Sequence, residues 1–151
     1  MTSTDVSITL DDEQEIRALI VEHAWALDHG DVTKLPELYT PDGALRGLEQ
    51  PLKGRAAIAE WAQWRATLTD RVSRHVHVNI RLRRSGPDEV VGSLITLLYR
   101  HDSGGGGVAS MVPFSVSDYD DVYRRHDGRW LIHARTMTRV FADPARVGTA
   151  K

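Results

Sequence analysis

At 151 residues the chain fits one domain, and that length buries a sizeable core without a staple. Cysteine is absent, which excludes disulfides, thiolate metal sites and cysteine nucleophiles. A formal net charge of −2, with 19 basic and 21 acidic residues and no basic cluster, argues against nucleic acid as a partner.

The opening stretch, MTSTDVSITLDDEQ, is polar and acidic. It has neither the basic nor the apolar region of a signal peptide, and no run is long and apolar enough to span a membrane. A cytoplasmic protein without a membrane partner is expected. Asp11 and Asp12 then offer a helix cap, and Glu13 and Glu15 place negative charge in a first turn. Ile16, Leu19, Ile20, His23, Ala24 and Leu27 recur at helical spacing, and Gly30 sits where a helix ends. The first helix is therefore expected over 12–29.

A short second helix is expected over 33–39, a turn at Pro41-Asp42-Gly43 and a short strand over 44–48. A third helix over 55–68 would carry Ile58, Trp61, Ala62 and Leu68 on one face. From there the period changes from helical to alternating. Over 74–83, Val76, Val78, Ile80 and Leu82 take one side, and His75, His77, Asn79 and Arg81 the other. Further strands are expected over 90–101, 108–125 and 129–141, the last two joined at Asp127-Gly128, a hairpin signal. Four glycines within 103–107 predict a flexible loop, and 142–151 reads as a tail. Helices first and strands later predict an α+β fold, with helices on one face of a mostly antiparallel sheet.

Four residues sit awkwardly in a purely structural account. Asp28 falls in the last turn of the first helix, where the helix dipole disfavours a carboxylate by roughly 0.3–1 kcal/mol. His23 interrupts the apolar stripe five residues earlier, about 140° around the helix, so the two can flank one cavity without touching. His75 lies on the polar side of its strand. Arg135 interrupts a strand rich in buried-type residues; a cross-strand ion pair with Asp118 or Asp120 would account for it equally well. Each has a bland explanation: a rim acid, a satisfied core histidine, an exposed strand face, an ion pair. Together a histidine, an acid and an arginine make a base, its orienting group and an anion-stabilising group.

The fragments WALDHGD, LYTPDG, KGRAAIAEW, SRHVHVNIRL and DDVYRRHDGRWLIHAR, in that order, resemble the SnoaL-like group of the nuclear-transport-factor-2 superfamily. The resemblance covers about 12–141 as one domain, with 1–11 and 142–151 as flexible termini. In pattern it is nearest to the lindane dehydrochlorinase and bile-acid 7α-dehydratase type. Scytalone dehydratase, ketosteroid isomerase and polyketide cyclases are more distant. It implies a cone: a curved antiparallel sheet wrapped around helices, with a deep pocket between them. It also implies that Asp28 pairs with His75, and it matches Arg135 to an arginine on the last strand. His23 departs from the lysine or tyrosine usual at its position.

The resemblance implies a lyase or isomerase carrying out dehydration, elimination or isomerisation on a small, largely apolar, aromatic or alicyclic molecule. His75 would be the general base and Asp28 its orienting acceptor. A protonated His23 would donate to a leaving group or carbonyl, and Arg135 would stabilise developing charge. No metal or organic cofactor is expected. Two other readings stay open: a binding module of the same shape, and a metal site built on His75-x-His77, for which no third ligand lies nearby. If His75 faces a pocket, Val76, Val78, Ile80 and Leu82 form an outer apolar patch, and the cover expected for it is a second or third copy of the chain.

Overall fold

A computed structural model describes residues 7–102 and 107–147. The first helix, α1 (Leu10–Asp28), starts two residues before the expected position because Thr9, not an aspartate, caps it: Thr9 Oγ1 accepts from the Asp12 amide at 3.1 Å. Asp12 is thereby free for tertiary contacts. Its carboxylate is buried and accepts from Trp130 Nε1 at 2.8 Å and from Arg84 and Arg125, tying the helix to both hairpins of the sheet. Burial pushes its pKa up, but these donors, with Thr9, outweigh burial and hold it down at about 2.

The expected short second helix is present as a 3-10 helix (Val32–Leu38), one residue earlier at each end. Pro41-Asp42-Gly43 is not a free turn: it lies inside strand β1 (Tyr39–Arg46), where the register against its neighbour shifts between Tyr39 and Ala44. A two-residue strand, β2 (Leu52–Lys53), leads into α2 (Gly54–Ala66), which buries Ile58 and Ala62. Four long strands follow: β3 (Val72–Gly86), β4 (Glu89–His101), β5 (Ser115–His126) and β6 (Arg129–Ala142). Strand β5 begins seven residues later than expected: 108–113 joins no ladder, and Phe114 donates only an isolated backbone hydrogen bond to the Leu98 carbonyl ahead of it. A short helix, α3 (Pro144–Val147), occupies part of the expected tail. Residues 1–6 and 148–151 of the expected termini, and 103–106 of the expected glycine loop, lie outside the described residues.

The six strands run in the order β2-β1-β6-β5-β4-β3. All pair antiparallel except β1 with β6. Asp127 and Gly128 have φ of 49° and 78°, the two left-handed positions that a tight hairpin demands. The helices pack onto one face of this curved sheet, and the core joins Ile16 and Ile20 to Leu35, Ile58, Tyr123 and Ile132. This is an α+β cone.

Strand β3 departs from the expected alternation. Asn79 takes a left-handed φ of 52°, and the register to β4 shifts between Val78 and Arg81. Such a bulge moves every later side chain to the opposite face. Before it, His75 and His77 point inward while Val76 (42 %) and Val78 (37 %) are exposed. After it, Ile80 and Leu82 pack against the core. The outer patch thus holds two of the four expected aliphatic residues.

Candidate active site

Helix α1 ends at Asp28 with no basic residue in its last turn, so the helix offers the carboxylate no counter-charge. Strand β3 does. Ser73 Oγ donates to Asp28 Oδ1 at 2.7 Å, the His75 amide donates to Oδ2 at 2.6 Å, and His75 Nδ1 meets Oδ1 at 2.7 Å. Burial pushes the Asp28 carboxyl up, and the hydrogen bonds and charge of His75 outweigh it, leaving the pKa below its ordinary value. The cost of placing an acid at a helix C-terminus is met by a neighbouring strand.

His75 lines a cavity of about 190 Å³ enclosed between helices and sheet. Leu27, Leu35, Trp61, Leu98 and Met137 supply much of its apolar wall, and His23 also reaches it. Gly47, at a φ of 98°, forms another part of the wall; a Cβ there would stand 2.1 Å from the Met137 carbonyl oxygen. Asp28 stands behind His75 and outside that lining. The structure therefore brings three of the four candidates to one place: Asp28, His75 and His23.

His23 does not fit the expected role of a protonated donor. It is buried, with Nε2 2.9 Å from the Tyr39 hydroxyl. Burial, then the charge of Arg135, pulls its pKa well below the ordinary histidine value. At neutral pH it is an uncharged imidazole. Arg135 is likewise placed differently from expectation. Its side chain has no exposure, it is not in the cavity wall, and it grips Asp121 through Nε at 2.9 Å and Nη2 at 2.7 Å. The ion-pair partner is neither Asp118 nor Asp120, which point outward, but Asp121, directly across the β5–β6 ladder. Tyr123 also donates to Asp121, and the guanidinium lies 5.0 Å from the Tyr119 ring. Asp121 was legible in principle, because Tyr119, Asp121 and Tyr123 alternate on one face as a buried strand should.

His77 points inward beside His75, with Nδ1 2.8 Å from Thr96 Oγ1 and Nε2 unpartnered. Burial first, then Arg135 and His75, lowers its pKa to about 4. Among the described residues no cluster of three histidine, aspartate or glutamate side chains could hold a metal ion, so His75-x-His77 stays a pair. The low values of His23 and His77 make stability depend on pH. The unfolded chain takes up a proton at each near pH 6.5, whereas folded His77 refuses it until about pH 4 and His23 also resists. The unfolded state then holds more protons, and stability falls as pH drops through that window by up to about 1.4 kcal/mol per unit per histidine. Urea midpoints at pH 7 and 5 measure this. His77→Asn, which keeps a polar group toward Thr96, is expected to flatten the slope; an unchanged slope would refute the assignment.

The SnoaL-like domain family matches residues 9–136, most of the chain. The chain belongs to the SnoaL-like domain family. Solved structures agree in fold. An NTF2-like protein with a cystatin-like fold from Novosphingobium aromaticivorans is 25% identical with a TM-score of 0.72, over 94% of this chain and 90% of that one. A provisionally assigned scytalone dehydratase from the same organism is 18% identical with a TM-score of 0.74, over 94% and 97%. ActVI-ORFA from Streptomyces coelicolor is 19% identical with a TM-score of 0.71, over 84% and 96%. No curated protein matches the chain. Among the described residues of this SnoaL-like chain, no helix is long and apolar enough to cross a membrane.

Proposed function

We propose that the chain is a cytoplasmic, cofactor-independent lyase or isomerase in which His75 is the general base and Asp28 its orienting partner. The observation that supports this is the 2.7 Å contact of His75 Nδ1 with Asp28, made by an imidazole that also lines an apolar cavity. With Nδ1 engaged, Nε2 is the nitrogen left for a ligand. Nε2 removes a proton from a carbon beside an activating group, and the C–H electron pair becomes the new double bond. In an elimination, the leaving group departs with its own bonding pair. In a dehydration, the departing oxygen takes back the proton His75 removed, so alkene and water are the products. In an isomerisation, that proton returns at a second carbon. Asp28 stays ionised throughout and faces the imidazolium.

His23 serves as a neutral hydrogen-bonding wall residue. Arg135 acts from behind the cavity, where its charge adds to the larger effect of burial in disfavouring protonation of His23 and His77. The fold supports this reading, since polyketide cyclases and dehydratases are built on it. The test is conversion of cyclic β-hydroxy ketones to enones, followed by absorbance. His75→Ala is expected to abolish conversion; an equally active variant would sink the reading. Binding without conversion of any such compound would favour a binding module.

We further propose a homo-oligomer, a dimer or a trimer. Strand β3 is the edge of the sheet and exposes Val72, Val76 and Val78. A long edge strand with exposed valines is a surface that soluble proteins cover. Light scattering at micromolar concentration is expected to give the mass of two or three chains. A clean monomer mass would overturn it.

A further inference from the structure

The cavity wall carries more positive charge than acid–base chemistry on an apolar molecule requires. Four arginines line it: Arg139, an exposed residue of β6, and a group of three whose charges act on one another, Arg65 from the last turn of α2, Arg71 before β3 and Arg100 near the end of β4. A single carboxylate serves two of these three. Asp102 accepts from Arg71 Nε at 2.6 Å and from Arg100 Nη2 at 3.0 Å. Arg65 has no ion pair among the described residues. Among the described residues the one hydrogen bond its guanidinium makes is a long contact of 3.4 Å from Nη2 to the Leu27 carbonyl.

Arg65 is 8 % exposed, and buried arginines are ordinarily paired. Burial, and then the charge of Arg71, pulls its pKa below the usual value, and Arg100 shifts the same way for the same reasons. Arg100 stacks on Phe114 at 4.0 Å, which fixes the plane of its fork, and its Nε is buried without a partner. The arrangement is three cations, one shared anion and unused donors facing a small apolar space. A packed core gains nothing from such a group unless something anionic joins it.

We propose that the ligand of this cavity is a carboxylic acid: its carboxylate sits on Arg65 and Arg100, and its apolar body extends toward His75. The inference rests on the acid–base reading only in making that ligand a substrate. A forked guanidinium matches the two oxygens of a carboxylate, and two such forks fix its orientation as well as its charge. A carboxylate does not activate the carbon beside it toward proton loss. It is therefore a handle remote from the reacting carbon, and its binding energy positions that carbon against Nε2. Asp28 also has a part, since its charge reaches Arg65 and links the handle to the dyad electrostatically. The apolar stripe of α2 carried the sequence signal: Arg65 follows Ile58 and Ala62 at helical spacing, on the buried face.

The test is calorimetric titration of the full chain with 2-naphthoate, its neutral isostere 2-naphthamide, and 2-naphthyl phosphate. The acid is expected to bind at least tenfold more tightly than the amide and more tightly than the phosphate. Arg65→Gln and Arg100→Gln, each checked for native melting, are expected to bring acid and amide to within about twofold. Equal affinities in the unaltered protein, an acid preference that survives both substitutions, or a tighter phosphate would each overturn the proposal. Naphthoate has neither a labile C–H nor a leaving group, so its binding does not depend on the dyad. Absence of the preference in the unaltered protein sinks the carboxylate site and leaves the His75 reading intact. A normal preference in a protein that converts no acid does the reverse.

Discussion

Asp28→Asn is expected to lower turnover by about 10²–10⁴-fold with the fold retained. The substitution conserves size but removes the negative charge that faces an imidazolium. It also places an amide NH₂ against the donors now bonded to the carboxylate, the Ser73 hydroxyl, the His75 amide and His75 Nδ1. One of these loses its acceptor, so His75 loses both its fixed tautomer and its compensation on taking a proton. Turnover on a converted hydroxy ketone measures the first effect. Proton NMR measures the second, since the strongly deshielded Nδ1–H signal expected of the pair should vanish in the variant. Unchanged turnover would remove Asp28 from the mechanism. A lost signal with unchanged turnover would show the pair to be structural only.

Asp121→Ala is expected to destabilise the protein by about 3–5 kcal/mol, the effect of leaving one partner of a buried pair alone. Arg135 and Asp121 have no exposed side-chain surface, and Arg135 Nη1 already lacks a partner. Without Asp121 the guanidinium keeps its charge with no anion in contact. Replacing both members, as Asp121→Leu with Arg135→Met, is expected to recover most of the loss, because neither charge is then buried. Urea unfolding measures both variants. A loss below about 1 kcal/mol in the single variant would mean that Arg135 reaches another anion, and its assignment as a structural residue would fall. The double variant also reports on the cavity: with Arg135 gone, His23 and His77 should protonate more readily, and acid should destabilise the protein less steeply.

Most elements were legible because their periodicity is local. The spacing of Ile16, Leu19 and Ile20 marks a helix whatever it packs against, and Asp127-Gly128 marks a hairpin because two left-handed residues fit little else. The misplaced elements depend on partners. Residues 108–113 are composed like a strand but join no ladder, and Pro41-Asp42-Gly43 resembles a turn but is the irregular stretch of β1 between its pairings with β6 at Tyr39 and Ala44. Asn79 shows the limit most clearly. A one-residue bulge leaves composition untouched yet reverses the faces of Ile80 and Leu82, and pairing with β4 decides it.

The site divides along the same line. That Asp28 is out of place at a helix end, that His23 breaks an apolar stripe and that Arg135 breaks a buried strand could be read along the chain, because each conflict is with its own element. What resolves each conflict came from packing in three dimensions: Ser73 and His75 for Asp28, Tyr39 for His23, and Asp121 rather than Asp118 or Asp120 for Arg135. Packing alone gathered Arg65, Arg71 and Arg100, residues scattered over 36 positions, along one cavity wall, with a single carboxylate bonded to the last two. The physical reason is that conflict with a helix dipole or an apolar face is local, whereas charge compensation depends on distance in space, which sequence separation does not set.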